Sequence, residues 1–422
     1  MSDRPGSTPP RAPGPAPVGT NADAIGIPQP PVAGYTGLSV GFAAVIASLV
    51  AVHACMATTR VAATLWVLHQ GYGGGFVGVL LSLFAVAPLG LSMWAGRLAD
   101  RHGFHRPVGI GVAMAFAGAV LALAAQLLGW LWLLALGCLL CGGAVAVSAV
   151  AIQREAGLMA RDASQLKRVF SWVALGPALS NALSPIIAGL LIDHIGMKAA
   201  FAFAALLPLL SWLLARKVPR NPPKVYTKSF REPAAWDLFR LPVYRRLLLV
   251  NLALSAGWDA HSFVVPVVGH ARGLSASSIG LVLGSFATAA TVVRLAIVRF
   301  ADDIDEARAL RSAMVVAMLT FIAYAWLPGT LGLMCGSALL GVALGSVQPM
   351  VLAMLHRATP PERHGQALGL RMLTLNGATV GMPVGFGMLA AATALTAPMW
   401  VMAGALLLAQ WPARGLRSDG PD

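Results

Sequence analysis

Charge is scarce in this sequence. Only 11% of its 422 residues are Asp, Glu, Lys or Arg, where a soluble globular chain carries about 25%. Acidic groups are the scarcest, 16 against 30 Lys and Arg. So few ionisable groups cannot cover a water-facing surface. That excludes the two or three soluble domains the length alone would allow. No Walker-type phosphate loop is present, which excludes a built-in ATPase. No cluster of His, Asp or Glu at catalytic spacing appears at a membrane face, so no enzyme is expected, with no catalytic residue, no metal site and no cofactor. Cysteine is rare: Cys55, Cys138, Cys141 and Cys335. Each lies in an apolar run. Cys138 and Cys141 form a CxxC, but in mid-run and without a second ligand pair. Thiols there pack as small apolar groups rather than bind zinc or exchange disulfides.

What the chain has in abundance is apolar length. Hydrophobic residues make up 57% and the mean hydropathy is +0.74. A spanning helix needs about 20 apolar residues. Twelve runs qualify: 38–68, 74–95, 108–128, 130–153, 168–193, 198–216, 245–268, 275–298, 308–327, 330–355, 367–390 and 396–413. Residues 1–36 are rich in Pro, Gly and Ala and read as a disordered cytoplasmic tail. They lack the basic start and apolar core of a secretory signal. The basic, proline-rich stretch 217–244 divides the chain into an N-terminal six-helix bundle, 37–216, and a C-terminal one, 245–414. Residues 415–422 form a second cytoplasmic tail.

The net charge of +14 does not point to nucleic acid, because the cations sit in the gaps between apolar runs rather than along a helix face. With the N-terminus inside, 25 of the 30 Lys and Arg residues fall in inside segments and only Lys198 and Arg272 outside. This is a strong positive-inside signal. It places both termini in the cytoplasm, with the bilayer as the chain's surroundings.

The halves also repeat. Shifting the chain by 202 residues lays Gly78–Asp100 on Gly280–Asp302 without a gap. Eight of 23 positions are identical, among them Arg97/Arg299 and Asp100/Asp302. Two similar bundles leave a seam, and binding sites of such proteins lie in it near mid-membrane.

The loop after the second run reads "GRLADRHGFHR" at 96–106. Its Gly96, Leu98, Asp100, Arg101 and Gly103 resemble the signature of the major facilitator superfamily at that place. Phe104 and His105 stand where the family usually has basic residues. The resemblance implies an all-α membrane protein, with twelve transmembrane helices in two six-helix pseudo-repeat bundles. It also implies a gate built from Gly96, Asp100, Arg101, Gly103, Arg299 and Asp302. Gly96 would let two helices approach, and Asp100 would sit on a helix N-terminus of the other half. Proton-antiport exporters of the family carry a helix-5 pattern of which only Gly176-Pro177 and Gly189 are found here. Their helix-4 Arg is absent.

Ionisable groups inside a span are costly and normally face a wet cavity or a partner. The first run carries His53 and Arg60. The seventh carries Asn251, Ser255, Asp259 and Ser262 at steps of three or four, one polar stripe, with His261 beside it. Arg294, Gln348, Arg371 and Asn376 complete the set. In the resembled fold, helices 1 and 7 line the cavity, so Arg60 and Asp259 are expected to face each other across the seam. Asp259 is the proton-coupling candidate. A carboxyl whose surroundings change as a cavity opens and closes can load and release a proton. The substrate-cavity candidates are His53, Arg60, Asn251, Ser255, His261, Arg294, Gln348, Arg371 and Asn376. A packing role stays open for the two histidines, as does snorkelling to the interface for Arg371.

The expectation is a secondary active transporter of the bacterial inner membrane. It moves a small organic solute with an anionic group by alternating access, coupled to protons and functional as a monomer. The alternatives are a proton-antiport exporter of amphipathic compounds and, more distantly, a sensor or lipid flippase.

Overall fold

The computed structural model describes residues 40–158, 163–218, 235–299, 305–359 and 364–416. The tail at 1–36, most of the central linker and most of the last eight residues lie outside them. All regular structure among the described residues is helical. Inside a bilayer no water satisfies backbone N–H and C=O, so each span closes its own hydrogen bonds. The helices are α1 (Val40–His69), α2 (Gly74–His102), α3 (His105–Leu128), α4 (Leu131–Leu158), α5 (Ala163–His194), α6 (Met197–Ala215), α7 (Pro242–Ala271), α8 (Ala276–Arg299), α9 (Glu306–Tyr324), α10 (Gly329–Gly345), α11 (Val347–Ala358), α12 (His364–Ala392) and α13 (Ala397–Arg414). A short 3-10 turn at Ala235–Arg240 precedes α7.

The run 330–355, expected as one helix, is broken at Ser346 into α10 and α11. Together they still cross the membrane as one span, Gly329–Leu355. Eleven spans among the described residues are long and apolar enough to cross. The 18-residue α13 is not one of them, as its last five residues include Gln410, Pro412 and Arg414. It packs along α9 and α7 all the same.

Helix α1 runs through the first bundle against α4, α5 and α6, and α7 plays the same part against α12 and α13. Apolar side chains also cover the outside: Leu408 and Trp411 are 77% and 82% exposed. Such a surface suits lipid and not water. The repeat is visible in the turns. Gly71 after α1 and Gly273 after α7 take φ of 84° and 70°, a left-handed conformation that closes a helix best with glycine. Tyr72 N–H then donates to Val67 O, and Leu274 N–H to Gly269 O, 202 residues on.

The two bundles meet along α2 with α12 and α5 with α8. These contacts are backbone on backbone. A methyl group at Gly78 would stand 2.2 Å from the Pro383 carbonyl oxygen, and one at Gly280 would stand 2.2 Å from that of Pro185. Ser82 Oγ donates to Val380 O at 2.6 Å across the first contact. At the second, both oxygens of Asp193, at the end of α5, accept the first N–H groups of α8. Ala276 N donates at 3.0 Å and Ser277 N at 2.7 Å. The seam is therefore plugged at the end where α2 and α8 begin.

Among the described residues, a methyl group at Gly96 would meet nothing within 4 Å. The family loop sits at the far end of the seam from the plug. Asp302 and the side chains of Asp100 and Arg299 lie outside the described part of the structure. Arg101 is exposed and Gly103 caps α2.

Candidate functional site

Below the plug the bundles part around a cavity of about 360 Å³. Five elements supply its polar wall. The stripe on α7 delivers Asn251, Ser255 and Asp259, because steps of four keep side chains on one face. Helix α5 adds Asn181, α8 adds Thr291 and Arg294, α11 adds Gln348, and α12 adds Arg371, Asn376 and Thr379. Seven of the residues singled out from the sequence thus converge on one chamber: Asn251, Ser255, Asp259, Arg294, Gln348, Arg371 and Asn376.

The charges are unequal. Two guanidiniums, Arg294 and Arg371, face one carboxylate, Asp259. Arg294 is aimed by two contacts. Its Nε donates to Gly345 O at 3.1 Å, a carbonyl at the end of α10, and its guanidinium lies 5.7 Å from the centre of the Trp258 ring. Arg371 does not snorkel. It is 4% exposed, its Nε has no partner, and it is close enough to the Tyr244 phenol to interact with it. Asn251 is 1% exposed, and neither its amide oxygen nor its nitrogen has a partner. An unpaired buried polar group costs roughly 1–3 kcal/mol. Both side chains thus keep free hydrogen-bonding capacity on the cavity wall.

Arg60, Ser262 and His261 line a second void, about 30 Å³, on the plug side. Trp258, Asn181 and Ala287 border both spaces. Trp258 is held edge-on by Phe286 at 4.5 Å, and His261 stacks on the same ring at 4.2 Å. Arg60 and Asp259 come close enough to feel each other's charge, but no ion pair within 4.0 Å joins them. The carboxyl has the Thr379 hydroxyl beside it instead.

Two candidates fall elsewhere. His53 lines neither space. It lies seven residues before Arg60, about 10 Å along the helix, so a shared face did not give a shared depth. His261 borders the small void but is tied into the second bundle. Its Nε2 is 2.8 Å from Ser337 Oγ, which in turn is 2.7 Å from Tyr324 OH. The sequence reading missed Asn181, Trp258 and Thr379. Asn181 had a signal, a lone amide four residues from each of Pro177 and Pro185.

Two repeated membrane bundles around a polar chamber on their seam define the class of secondary transporters. The family model described as the Major Facilitator Superfamily matches residues 32–337 and 247–414, and the chain belongs to that superfamily. Similar solved structures include a D-xylose–proton symporter at TM-score 0.73 and 12% identity, over 90% of this chain and 99% of that one. A peptide transporter POT in complex with sulfate gives 0.72 and 15%, over 90% and 94%. The human organic anion transporter MFSD10 (TETRAN) gives 0.62 and 15%, over 91% and 100%. At such identities the likeness shows the fold.

Proposed function

We propose that this transporter carries a small organic solute with an anionic group, coupled to protons through Asp259. The observation that carries the reading is the cavity wall, where two guanidiniums and an unpaired Asn251 amide face a single carboxylate. The chamber suits a compact solute: sites of about 300–1,000 Å³ hold small ligands. An anion would neutralise the surplus positive charge, and Asp259 would load its proton when the solute is bound. The positive-inside count supports cytoplasmic termini in a bacterial inner membrane, an orientation in which the plug would face outward and the chamber inward. One similar structure is a D-xylose–proton symporter and another a human organic anion transporter, which agrees with both halves of the reading. The fold hosts many cargoes, so the site and not the fold carries the argument.

The test is transport in liposomes loaded with a pH-sensitive dye. Organic acids and amphipathic cations are offered in turn, with Asp259→Asn in parallel. Proton movement with an organic acid, lost in Asp259→Asn, is expected. Movement with cations alone would replace this reading by proton-antiport export. Flux surviving in Asp259→Asn would remove Asp259 as the proton carrier.

A further inference from the structure

The plug contains a pair of groups that transport through the chamber does not use. His69 ends α1 and His270 stands one residue before the end of α7, the matching helix of the other bundle. Their rings face each other across the seam, with centroids 4.8 Å apart and planes 57° from parallel. His69 Nδ1 is 2.7 Å from Leu65 O of its own helix, so the N–H there donates inward. His270 lies against the Leu68 carbonyl of α1, which makes it a contact between the bundles. Neither ring is fully buried, so water and protons reach both.

The charged and titratable groups at this end are few. The turn after α1 has Tyr72. The end of α5 has Asp193 and His194, and the start of α6 has Lys198. The turn after α7 has Arg272. The beginnings of α2, α8 and α10 and the ends of α9 and α12 bring no Asp, Glu, Lys or Arg. Asp193 is committed to the N–H groups of Ala276 and Ser277. Arg272 is committed to the carbonyls of Leu327 and Ala325 at 2.9 and 2.6 Å. The sole carboxylate at this end is thus engaged elsewhere, and no contact ties it to the facing imidazoles.

We infer that His69 and His270 form a pH-sensitive catch on the plugged end of the seam: neutral rings let the bundles touch there, and protonation of both drives them apart. Histidine changes charge between about pH 5 and 8. Two like charges at this separation repel in proportion to 1/r, screened by the water that reaches them. Under the orientation proposed above, acid outside would open the chamber toward the side from which protons are loaded. The catch itself needs neither that orientation nor any cargo.

The experiment reads the plug directly, so its failure is separate from a failure of the transport reading. Spin labels go on Leu128→Cys and Leu331→Cys. These exposed positions lie at the plugged ends of the two bundles. The background is Cys335→Ala, as the other three cysteines are buried. Distance distributions are taken at pH 8 and pH 5. A single short distance is expected at pH 8. A longer one is expected to gain population at pH 5 by about tenfold, within the range that screened like charges supply. His69→Gln with His270→Gln should hold the short distance at both values. His69→Arg with His270→Arg should show the long one at both. An acid response that survives the Gln pair, or no acid response in the parent protein, overturns the inference.

Discussion

At the end where α2 and α8 begin, glycine backbones lie against the Pro383 and Pro185 carbonyls and Asp193 caps α8. At the end where α2 finishes, a methyl group at Gly96 would meet nothing within 4 Å among the described residues. The family resemblance places a carboxylate on a helix N-terminus at this second end, through Asp100. The structure shows that same device at the first end, built from Asp193 and α8. The difference teaches that a carboxylate on a helix N-terminus can close one end of this seam, as Asp193 does at the start of α8.

The strongest way to break the comparison is to wedge the plug. Gly280→Ala puts a methyl group 2.2 Å from the Pro185 oxygen. Overpacking against a rigid neighbour costs about 1–3 kcal/mol, so the ratio of closed to open forms should fall about 5- to 150-fold. The Leu128/Leu331 label pair reads that change. Gly78→Ala, against Pro383, should act alike. An unchanged distance distribution in both would mean that the plug tolerates added volume.

A smaller effect sharpens the asymmetry within the plug. Asp193→Ala removes a cap worth about 0.5–2 kcal/mol, and exposure at this position argues for the lower half. Roughly two- to fivefold more of the long distance is expected, and raised salt should weaken the difference. Asp193→Asn, which keeps an acceptor, should lie between the variant and the parent.

The smallest structural effect belongs to the other end. Gly96→Ala meets nothing within 4 Å among the described residues, so the melting temperature should move by less than about 2 °C, the scale of half a kcal/mol or so in a chain of this kind. Solute uptake should nevertheless slow several-fold, because closing that end would bring Gly96 against a helix. Uptake at the parental rate would leave Gly96 without a gating part.

Much of this was legible in the sequence because membrane helices announce themselves by apolar length. The α7 stripe was legible because side chains at steps of three and four share a face, and three of its four members reach the large chamber while Ser262 borders the small void. Depth was not legible in the same way, which is how His53 came to be grouped with Arg60. Nor can one sequence say which glycine meets a partner. Gly96 carries the motif, yet Gly78 and Gly280 carry the contact. The break at Ser346 left only a faint mark, Pro349 three residues on, in a run apolar enough to read straight through. Burial of Arg371 depends on what packs over the start of α12, a tertiary fact that hydropathy does not contain.

The repeat turns the single carboxylate of the chamber into a statement about energetics. The position matching Asp259 in the first bundle, 202 residues earlier, is Ala57, and among the described residues no other acidic side chain lines the cavity wall. If Asp259 is the carrier, the chamber loads one proton per turnover. A solute with one negative charge then crosses together with one positive charge. Such a cycle moves no net charge, so it gains nothing from the roughly 2.3 kcal/mol per 100 mV that a membrane potential offers each unpaired charge. Accumulation would track the pH difference alone and be indifferent to voltage. A solute with two negative charges would be held back by the same potential that powers other carriers.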